Sequence, residues 1–169
     1  MGGAVKNLAD TKAIEKIREI AKDANICMFI TDLSKVPLAG TPMATQQVDE
    51  EGNIWFMSGA DSTRNANINT SNEVQLFYSH TANYEYLSIY GTAEIIRDRA
   101  KTEELWTPIA KTWFEKGKDD PNLTLIKVSP LDAYYWDTKV NKMISLLKFA
   151  IGALGVKTED GGVEGRLKV

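Results

Sequence analysis

Residues 81–98, TANYEYLSIYGTAEIIRD, show the clearest alternating pattern in the chain. One face of this segment is apolar and consists of Leu87, Ile89, Ala93 and Ile95. The other face is aromatic and polar and consists of Tyr84, Tyr86, Ser88, Tyr90, Thr92 and Glu94. Because side chains alternate between the two faces of a strand, the pattern predicts a long strand with one face in the core. The other face suits a partner chain or a flat ligand, and Gly91 predicts a bend or bulge.

Shorter apolar runs surround this strand and predict a small barrel. Further strands are predicted at residues 26–31, 43–48, 54–58, 74–79, 123–128 and 133–136, with turns at Pro37–Pro42, Asp49–Asn53 and Ser129–Pro130. The connections are mostly of hairpin length, so the sheet should be mainly antiparallel. We therefore predict a mainly β fold with α-helices, in which about seven strands close as a barrel.

Helical periodicity occurs at both ends of the chain and between the strands. Helices are predicted at about residues 10–23, 62–70, 99–106, with Asp98 as the cap, and 109–117. A further apolar stripe runs from Val140 to Leu154. We predict one domain over residues 1–156 and a flexible tail, rich in glycine and charge, over residues 157–169.

The composition of the 169-residue chain is that of a soluble globular protein. Its formal net charge of -3 gives no basic surface for nucleic acid. No segment reaches the roughly 20 apolar residues of a membrane span. The first residues, MGGAVKNLAD, do not resemble a signal peptide. We therefore expect a cytoplasmic protein that binds neither nucleic acid nor membrane.

Several catalytic and metal-binding arrangements are absent from the sequence. Cys27 is the only cysteine and His80 the only histidine, so no disulfide can form within the chain and no Cys/His zinc site is predicted. Cys27 lies in an apolar run and is expected to be a buried core residue. His80 lies in the polar run Ser79–Thr81 and is expected to be a solvated turn residue. Nucleotide-binding glycine loops and a nucleophile elbow are also missing. From these absences together, we predict no metal site and name no catalytic residue.

A cluster of small hydroxyls and one guanidinium follows the predicted strand at residues 54–58. Its members are Asp61, Ser62, Thr63 and Arg64. One interpretation is a turn followed by the cap of the next helix. The other is an anion site, in which Arg64 and the first N–H groups of the helix hold a phosphate. The local sequence alone is compatible with both.

A set of segments in order resembles the FMN-binding split-barrel proteins related to pyridoxamine 5'-phosphate oxidase, most closely their general stress protein subgroup. The segments are PMAT at 42–45, GNIWFMS at 52–58, DSTR at 61–64, LSIYGTAE at 87–94, LW at 105–106, WF at 113–114, GKDDP at 117–121 and YWD at 135–137. The resemblance covers roughly residues 10–155. It implies an antiparallel split β-barrel of six or seven strands with flanking helices.

The resemblance also implies a homodimer with FMN at the subunit interface. The flavin ring would lie against Met43, Ala44 and Thr45 and against Phe56, Met57 and Ser58. Its phosphate would be held by Ser62, Thr63 and Arg64, where many relatives carry lysine instead of the arginine. Tyr86 is expected either to reach the flavin or to pack in the dimer, and Trp113 is expected to be contributed by the partner subunit.

The resemblance leaves the reaction open. Authentic pyridoxamine 5'-phosphate oxidases carry basic residues on the strand that here reads Met-Ala-Thr-Gln-Gln-Val, so oxidation of pyridoxamine phosphate is not expected. An FMN-dependent oxidoreductase acting on an unknown small molecule is the first hypothesis. The alternatives are a non-catalytic flavin-binding stress protein acting as a sensor or cofactor reservoir, a split barrel that uses haem or deazaflavin, and an interaction barrel without a cofactor.

Overall fold

The centre of the protein is one large curled sheet. The computed structural model describes residues 4–5, 8–138 and 162–168. The strands are β1 (Ala4–Val5), β2 (Leu8–Ala9), β3 (Ile26–Thr31), β4 (Ala39–Ala44), β5 (Gln47–Val48), β6 (Ile54–Gly59), β7 (Glu73–His80), β8 (Glu85–Ile96), β9 (Leu123–Thr138) and β10 (Gly162–Lys168). The helices are α1 (Asp10–Ala24), α2 (Thr63–Thr70) and α3 (Arg99–Leu105), with two 3-10 helices at Pro108–Thr112 and Gly117–Asp119.

Strand β9 organises the sheet because it has three neighbours. One edge pairs with β8, whereas the other edge is shared by β6, opposite its first half, and β10, opposite its second half. The main path is β1-β10-β9-β8-β7-β3-β4, which contains seven strands and is antiparallel except where β1 joins β10. This arrangement confirms the predicted antiparallel split barrel.

The long alternating segment forms β8 with the predicted faces. Leu87, Ile89 and Ala93 are buried, and Tyr86 on the opposite face is 38% exposed. The register between β8 and β9 shifts between Tyr90 and Gly91, so the predicted bulge is confirmed. A Cβ at Gly91 would overlap the carbonyl oxygen of Ser129, and only glycine permits this close approach of the two backbones.

Helix α1 covers the inner face of the sheet. Its residues Ala13, Ile17, Ile20 and Ala21 are fully buried and join the main core. The helix ends at Ala24, and the next residue, Asn25, adopts a left-handed conformation (φ 62°) and donates its N–H to the Ala21 carbonyl. Among the helices that the structure describes, none is long and apolar enough to cross a membrane.

Several predicted elements differ in their boundaries. Residues 43–48 do not form one strand: β4 ends at Ala44, and β5 begins at Gln47. Gly40 and Pro42, predicted to lie in a loop, belong to β4, where pairing with β3 outweighs their low strand propensity. The predicted turn at Ser129–Pro130 is instead the irregular middle of the single strand β9, which bulges opposite Gly91 without reversing.

The C-terminal segment also differs from the prediction. Residues 162–168, expected to belong to a flexible tail, form β10 and pair with β9, β1 and β2. Leu167 is 2% exposed and belongs to the main core. The alternation of charged and apolar residues in this glycine-rich segment is a strand pattern that composition alone conceals. The helix predicted from Val140 to Leu154 lies outside the described residues.

Candidate functional site

The candidate site lies where β6 ends and α2 begins. Ser58 is buried near the end of β6, and Ser62 is the N-cap of α2, which starts at Thr63. The connection between them is tight: Ala60 N–H and Asp61 N–H donate to the backbone carbonyl and side-chain oxygen of Asn122. This turn directs Arg64, in the first turn of α2, back over the end of β6.

The Arg64 side chain bridges the split in the barrel. Among the described strands, β4 pairs only with β3, and β6 pairs only with β5 and β9, so β4 and β6 are not hydrogen-bonded to each other. Arg64 Nη1 donates to Thr41 Oγ1 of β4 at 3.0 Å, and Nη2 donates to Ser58 Oγ of β6 at 2.8 Å. The guanidinium therefore spans the opening with two neutral hydroxyls as its partners.

The positive charge of Arg64 has no negative partner in the described part of the chain. No carboxylate there forms an ion pair with it, and its buried Nε has no hydrogen-bond partner. Burial lowers the pKa of the guanidinium from its ordinary value, although an arginine remains protonated at neutral pH. A partly buried cation whose Nε lacks a hydrogen-bond partner is costly unless an anion compensates it.

The Ser62 side chain caps α2. Its Oγ accepts the N–H of Asn65 at 3.1 Å and donates to Asn65 Oδ1 at 3.2 Å. The cap interpretation of this cluster is therefore correct for Ser62. This cap leaves other backbone donors without an intrahelical acceptor. The N–H groups of Thr63 and Arg64 lie at the start of the helix, where no partner within the helix exists. Thr63 itself is exposed.

The two strands expected to face the flavin ring flank the split. Met43 and Phe56 are buried with 7% and 0% exposure, and Phe56 packs edge-on against Phe29 with ring centroids 5.2 Å apart. Their side chains therefore belong to the core. Ala44 is exposed, Met57 is half-buried, and Thr45 Oγ1 lies 2.6 Å from Tyr78 Oη. The backbone edges of β4 and β6 are not hydrogen-bonded to each other at this opening.

Tyr86 and Trp113 are not part of the hydrogen-bonded cluster that Arg64 forms with Thr41 and Ser58. Within the described residues, no hydrogen bond joins either side chain to that cluster. Tyr86 lies on the outer face of the sheet, defined here by Ile26, Met28, Phe77 and Tyr86, which are each 38–51% exposed. Trp113 follows the first 3-10 helix and is 67% exposed. Both side chains are thus exposed and accessible to another molecule.

Three polar residues of the site were not predicted from the sequence. Thr41 holds Arg64, Asn65 receives a 2.7 Å hydrogen bond from Ser58, and Thr124 accepts from Asn65 at 2.9 Å and donates to the Ser58 carbonyl. Asn65 could have been found, because it lies three residues after the cap Ser62. Thr124 could not, since its position opposite Ser58 depends on the pairing of β6 with β9.

His80 is not the solvated turn residue that the sequence predicts. It is the last residue of β7, is half-buried, and has its Nδ1 3.0 Å from Oε2 of Glu85. The polar neighbours in sequence hide the cross-strand pairing of His80 with Glu85. Cys27, by contrast, is buried as predicted.

Known proteins share this fold. The model for the pyridoxamine 5'-phosphate oxidase like family matches residues 12–160. A candidate general stress protein 26 from Jannaschia sp. is 22% identical, covers 95% of this chain and 99% of its own, and superposes with a TM-score of 0.77. The general stress FMN/FAD binding protein from Xanthomonas citri is 26% identical over 77% of this chain and 92% of its own, with a TM-score of 0.67.

A match among curated proteins is shorter. Protein bli-3 of Neurospora crassa is 22% identical over 90 residues, which is 48% of this chain and 43% of that protein. The chain therefore matches less than half the length of this relative. The fold and the site together define a split barrel whose opening carries an arginine without a carboxylate partner among the described residues. By the extent of the family match, the chain belongs to the pyridoxamine 5'-phosphate oxidase-like family.

Proposed function

We propose that the protein is an FMN-binding flavoprotein and that Arg64 binds the FMN phosphate. The uncompensated, partly buried charge of Arg64 beside the first N–H groups of α2 carries this proposal. A phosphate matches it chemically, because guanidinium N–H groups and helix N-termini both bind phosphate oxygens. The neighbouring Thr63 hydroxyl is exposed and free to add a hydrogen bond. The similar Xanthomonas citri protein is named as an FMN/FAD binding protein, which agrees with this assignment.

The flavin ring would lie in the split between β4 and β6. The backbone edges of Met43–Thr45 and Phe56–Ser58 are the proposed partners of its polar rim. These edges are suited to that role because the described strands leave them unpaired with each other. The Phe56 side chain itself is buried and packs edge-on against Phe29.

A second copy of the chain would complete the site. The outer face presents four large apolar side chains on one side of the sheet, and an apolar patch of this kind is typical of a protein interface. We propose a homodimer through this face, with Tyr86 at the interface and the partner's Trp113 closing the flavin. We also propose a cytoplasmic location.

Bound FMN would supply electron or hydride transfer, and the chain would bind, orient and shield it. No described residue of the site is placed as a proton donor, so the chemistry would depend on the flavin and on a small-molecule substrate yet to be identified. Flavin-dependent oxidation of reduced nicotinamide under air would support an oxidoreductase. Its absence in an FMN-loaded dimer would favour the flavin-binding stress protein without turnover.

The phosphate assignment is tested by titrating the flavin-free protein with FMN and with riboflavin, which lacks the phosphate. Arg64→Ala should weaken FMN binding by about 1.5–3 kcal/mol, or roughly 10- to 150-fold in Kd, the range for hydrogen bonds to charged groups. Riboflavin binding should change little. Quenching of flavin fluorescence measures both affinities.

Two variants control for indirect effects. Arg64→Lys keeps the charge and should lose less affinity than Arg64→Ala. Arg99→Ala removes an exposed arginine from α3, where it pairs with Glu103, and should leave FMN binding unchanged. If Arg64→Ala weakens FMN and riboflavin equally, Arg64 acts by holding β4 against β6 and the phosphate assignment is wrong. If the wild-type protein binds neither flavin, the proposed function is wrong.

A further inference from the structure

Three potential metal ligands lie together outside the proposed flavin site. Asp23, His80 and Glu85 each offer one donor atom, and these atoms all lie within 4.8 Å of one another. The sequence analysis predicts no metal site, because a single cysteine and a single histidine allow no Cys/His zinc site. These three residues are distant in sequence, and only the fold brings them together.

Three separate elements deliver the ligands. His80 and Glu85 are directly opposite each other at the end of the β7–β8 hairpin. By strand alternation, they lie on the same face as the buried Tyr78 and Leu87. Helix α1 packs on that inner face, and its last turn carries Asp23. The ligands therefore converge at the rim of the core, where the end of the helix meets the end of the hairpin.

The spacing and burial resemble those of a shallow metal site. His80 Nδ1 and Glu85 Oε2 are 3.0 Å apart. Two ligands bound to one zinc ion at about 2.0–2.2 Å in a tetrahedral arrangement lie roughly 3.4 Å apart. Glu85 is only 6% exposed, His80 is half-buried and Asp23 is exposed, so an ion could enter from the Asp23 side.

The local charge favours a cation. Asp23 and Glu85 bring two carboxylates close together. Asp23 also lies in the last turn of a 15-residue helix, where the carbonyl ends of the helix dipole disfavour a carboxylate. Lys22 in the same turn supplies a single positive charge. A bound dication would neutralise the carboxylates and interact favourably with the helix end.

We propose that Asp23, His80 and Glu85 bind one Zn²⁺ ion, with water completing the coordination. The imidazole nitrogen selects zinc over calcium and magnesium, which prefer sites made entirely of oxygen. The site uses no residue of the proposed flavin site, so it can be tested whether or not the protein binds FMN. The alternative is that His80 and Glu85 form only a structural hydrogen-bonded pair.

The test is isothermal titration of the full chain, after treatment with a chelator, with ZnCl₂ and separately with CaCl₂. The wild-type protein should bind one Zn²⁺ per chain and bind Ca²⁺ at least tenfold more weakly. Asp23→Asn and His80→Gln should each weaken Zn²⁺ binding by at least about tenfold. Loss of a residue that only hydrogen-bonds to a metal ligand already lowers metal affinity about 10- to 100-fold, and these two residues are proposed as ligands themselves. Thermal unfolding with and without Zn²⁺ gives a second readout, because a ligand of the folded state raises Tm.

Glu15→Gln is the matched control, because Glu15 is an exposed carboxylate on the same helix. This variant should bind Zn²⁺ like the wild type. Asp23 is exposed, so Asp23→Asn tests the site without disturbing the core even if His80→Gln impairs folding. The proposal is overturned if the wild type does not bind Zn²⁺ or if binding is unchanged in Asp23→Asn. It is also overturned if a folded His80→Gln variant binds as tightly as the wild type.

Discussion

At the scale of single residues, the helix-cap interpretation of the hydroxyl cluster is correct for Ser62 and leaves Arg64 available for the proposed phosphate. Ser62 caps α2, as its position before a helix predicts. Arg64 in the first turn then carries a charge that no described carboxylate balances. The sequence could place these two residues side by side, but it could not show that Thr41 and Ser58 hold the guanidinium across the split. Such contacts depend on the distance between strands that are separated in sequence.

The thiol of Cys27 gives a prediction at the same scale. Burial raises the pKa of Cys27 from 9.0 to about 12, outweighing the opposite effect of its hydrogen bond with Tyr78. At pH 8 the folded protein therefore holds roughly 10³-fold less thiolate than a free cysteine would, and we expect very slow labelling by a disulfide reagent. The labelling rate should rise with pH without levelling off near pH 9.

Protein unfolded in guanidinium provides the control and should react rapidly. The raised pKa also has a consequence for stability. The folded state keeps the proton more tightly, so this contribution to the free energy of unfolding is complete below the unfolded pKa of 9.0 and is lost as pH rises through about 12. A rate plateau at pH 9 in the folded protein would contradict the assignment of a buried, protonated thiol.

At the scale of secondary structure, periodicity predicts the elements better than their ends. The alternation in β8 and the helical stripe of α1 are both confirmed, because each buries one face against the core. Residues 39–44 were missed as a strand because their glycine and proline argue for a loop. Pairing with β3 decides otherwise, and a sequence pattern contains no information about that partner.

The bulge at Gly91 yields the prediction for this scale. A side chain at Gly91 would collide with backbone atoms of Ser129, and backbone cannot move aside as a flexible side chain can. Gly91→Ala should therefore lower the free energy of unfolding by about 1–3 kcal/mol, the usual cost of overpacking. Urea denaturation followed by tryptophan fluorescence measures the change.

Gly40→Ala is the matched control within the same sheet. An added Cβ at Gly40 would meet its nearest atom, Met28 Cε, at 3.4 Å, which is an ordinary contact with a movable side chain. We expect a change of less than about 1 kcal/mol there. Equal losses at both positions would mean that loss of a glycine in a strand, rather than the close approach at the bulge, determines stability.

At the scale of the whole molecule, the antiparallel split barrel could be predicted, and its C-terminal edge could not. The ordered segments that resemble the family extend from residue 42 to residue 137, and they lie within the family match at residues 12–160. Strand β10 was missed because its glycine and charge suggest a tail. Its place is fixed by β9, whose second half would otherwise leave one edge unpaired.

The proposed dimer gives the prediction for this scale. Phe77 lies on the outer face next to Met28 and is 46% exposed, so a charge placed there should oppose association. In light scattering coupled to size-exclusion chromatography, the wild-type protein should have the mass of two chains and Phe77→Glu that of one. Because the flavin is proposed to lie between subunits, the variant should also lose bound FMN.

Val36→Glu serves as the control, since Val36 is an 89% exposed apolar residue outside the outer face. It should remain dimeric and retain FMN. A wild-type monomer that binds FMN would contradict the interface proposal while leaving the role of Arg64 intact. A Phe77→Glu variant that remains dimeric would show that the dimer interface lies on another surface.

The pairing of β10 with β1 and β2 has a consequence for the order in which the sheet assembles. Residue 4 pairs with residue 163, and residue 8 with residue 167, so this edge joins the two extremes of the described chain. The hairpin of β7 and β8, by contrast, closes over a few residues. Since closing a longer loop costs more entropy and contacts between distant residues slow folding, the terminal edge raises the contact order of the fold. During synthesis on the ribosome, this edge has to wait until residue 168 has been added, whereas the centre of the sheet can form from residues made earlier.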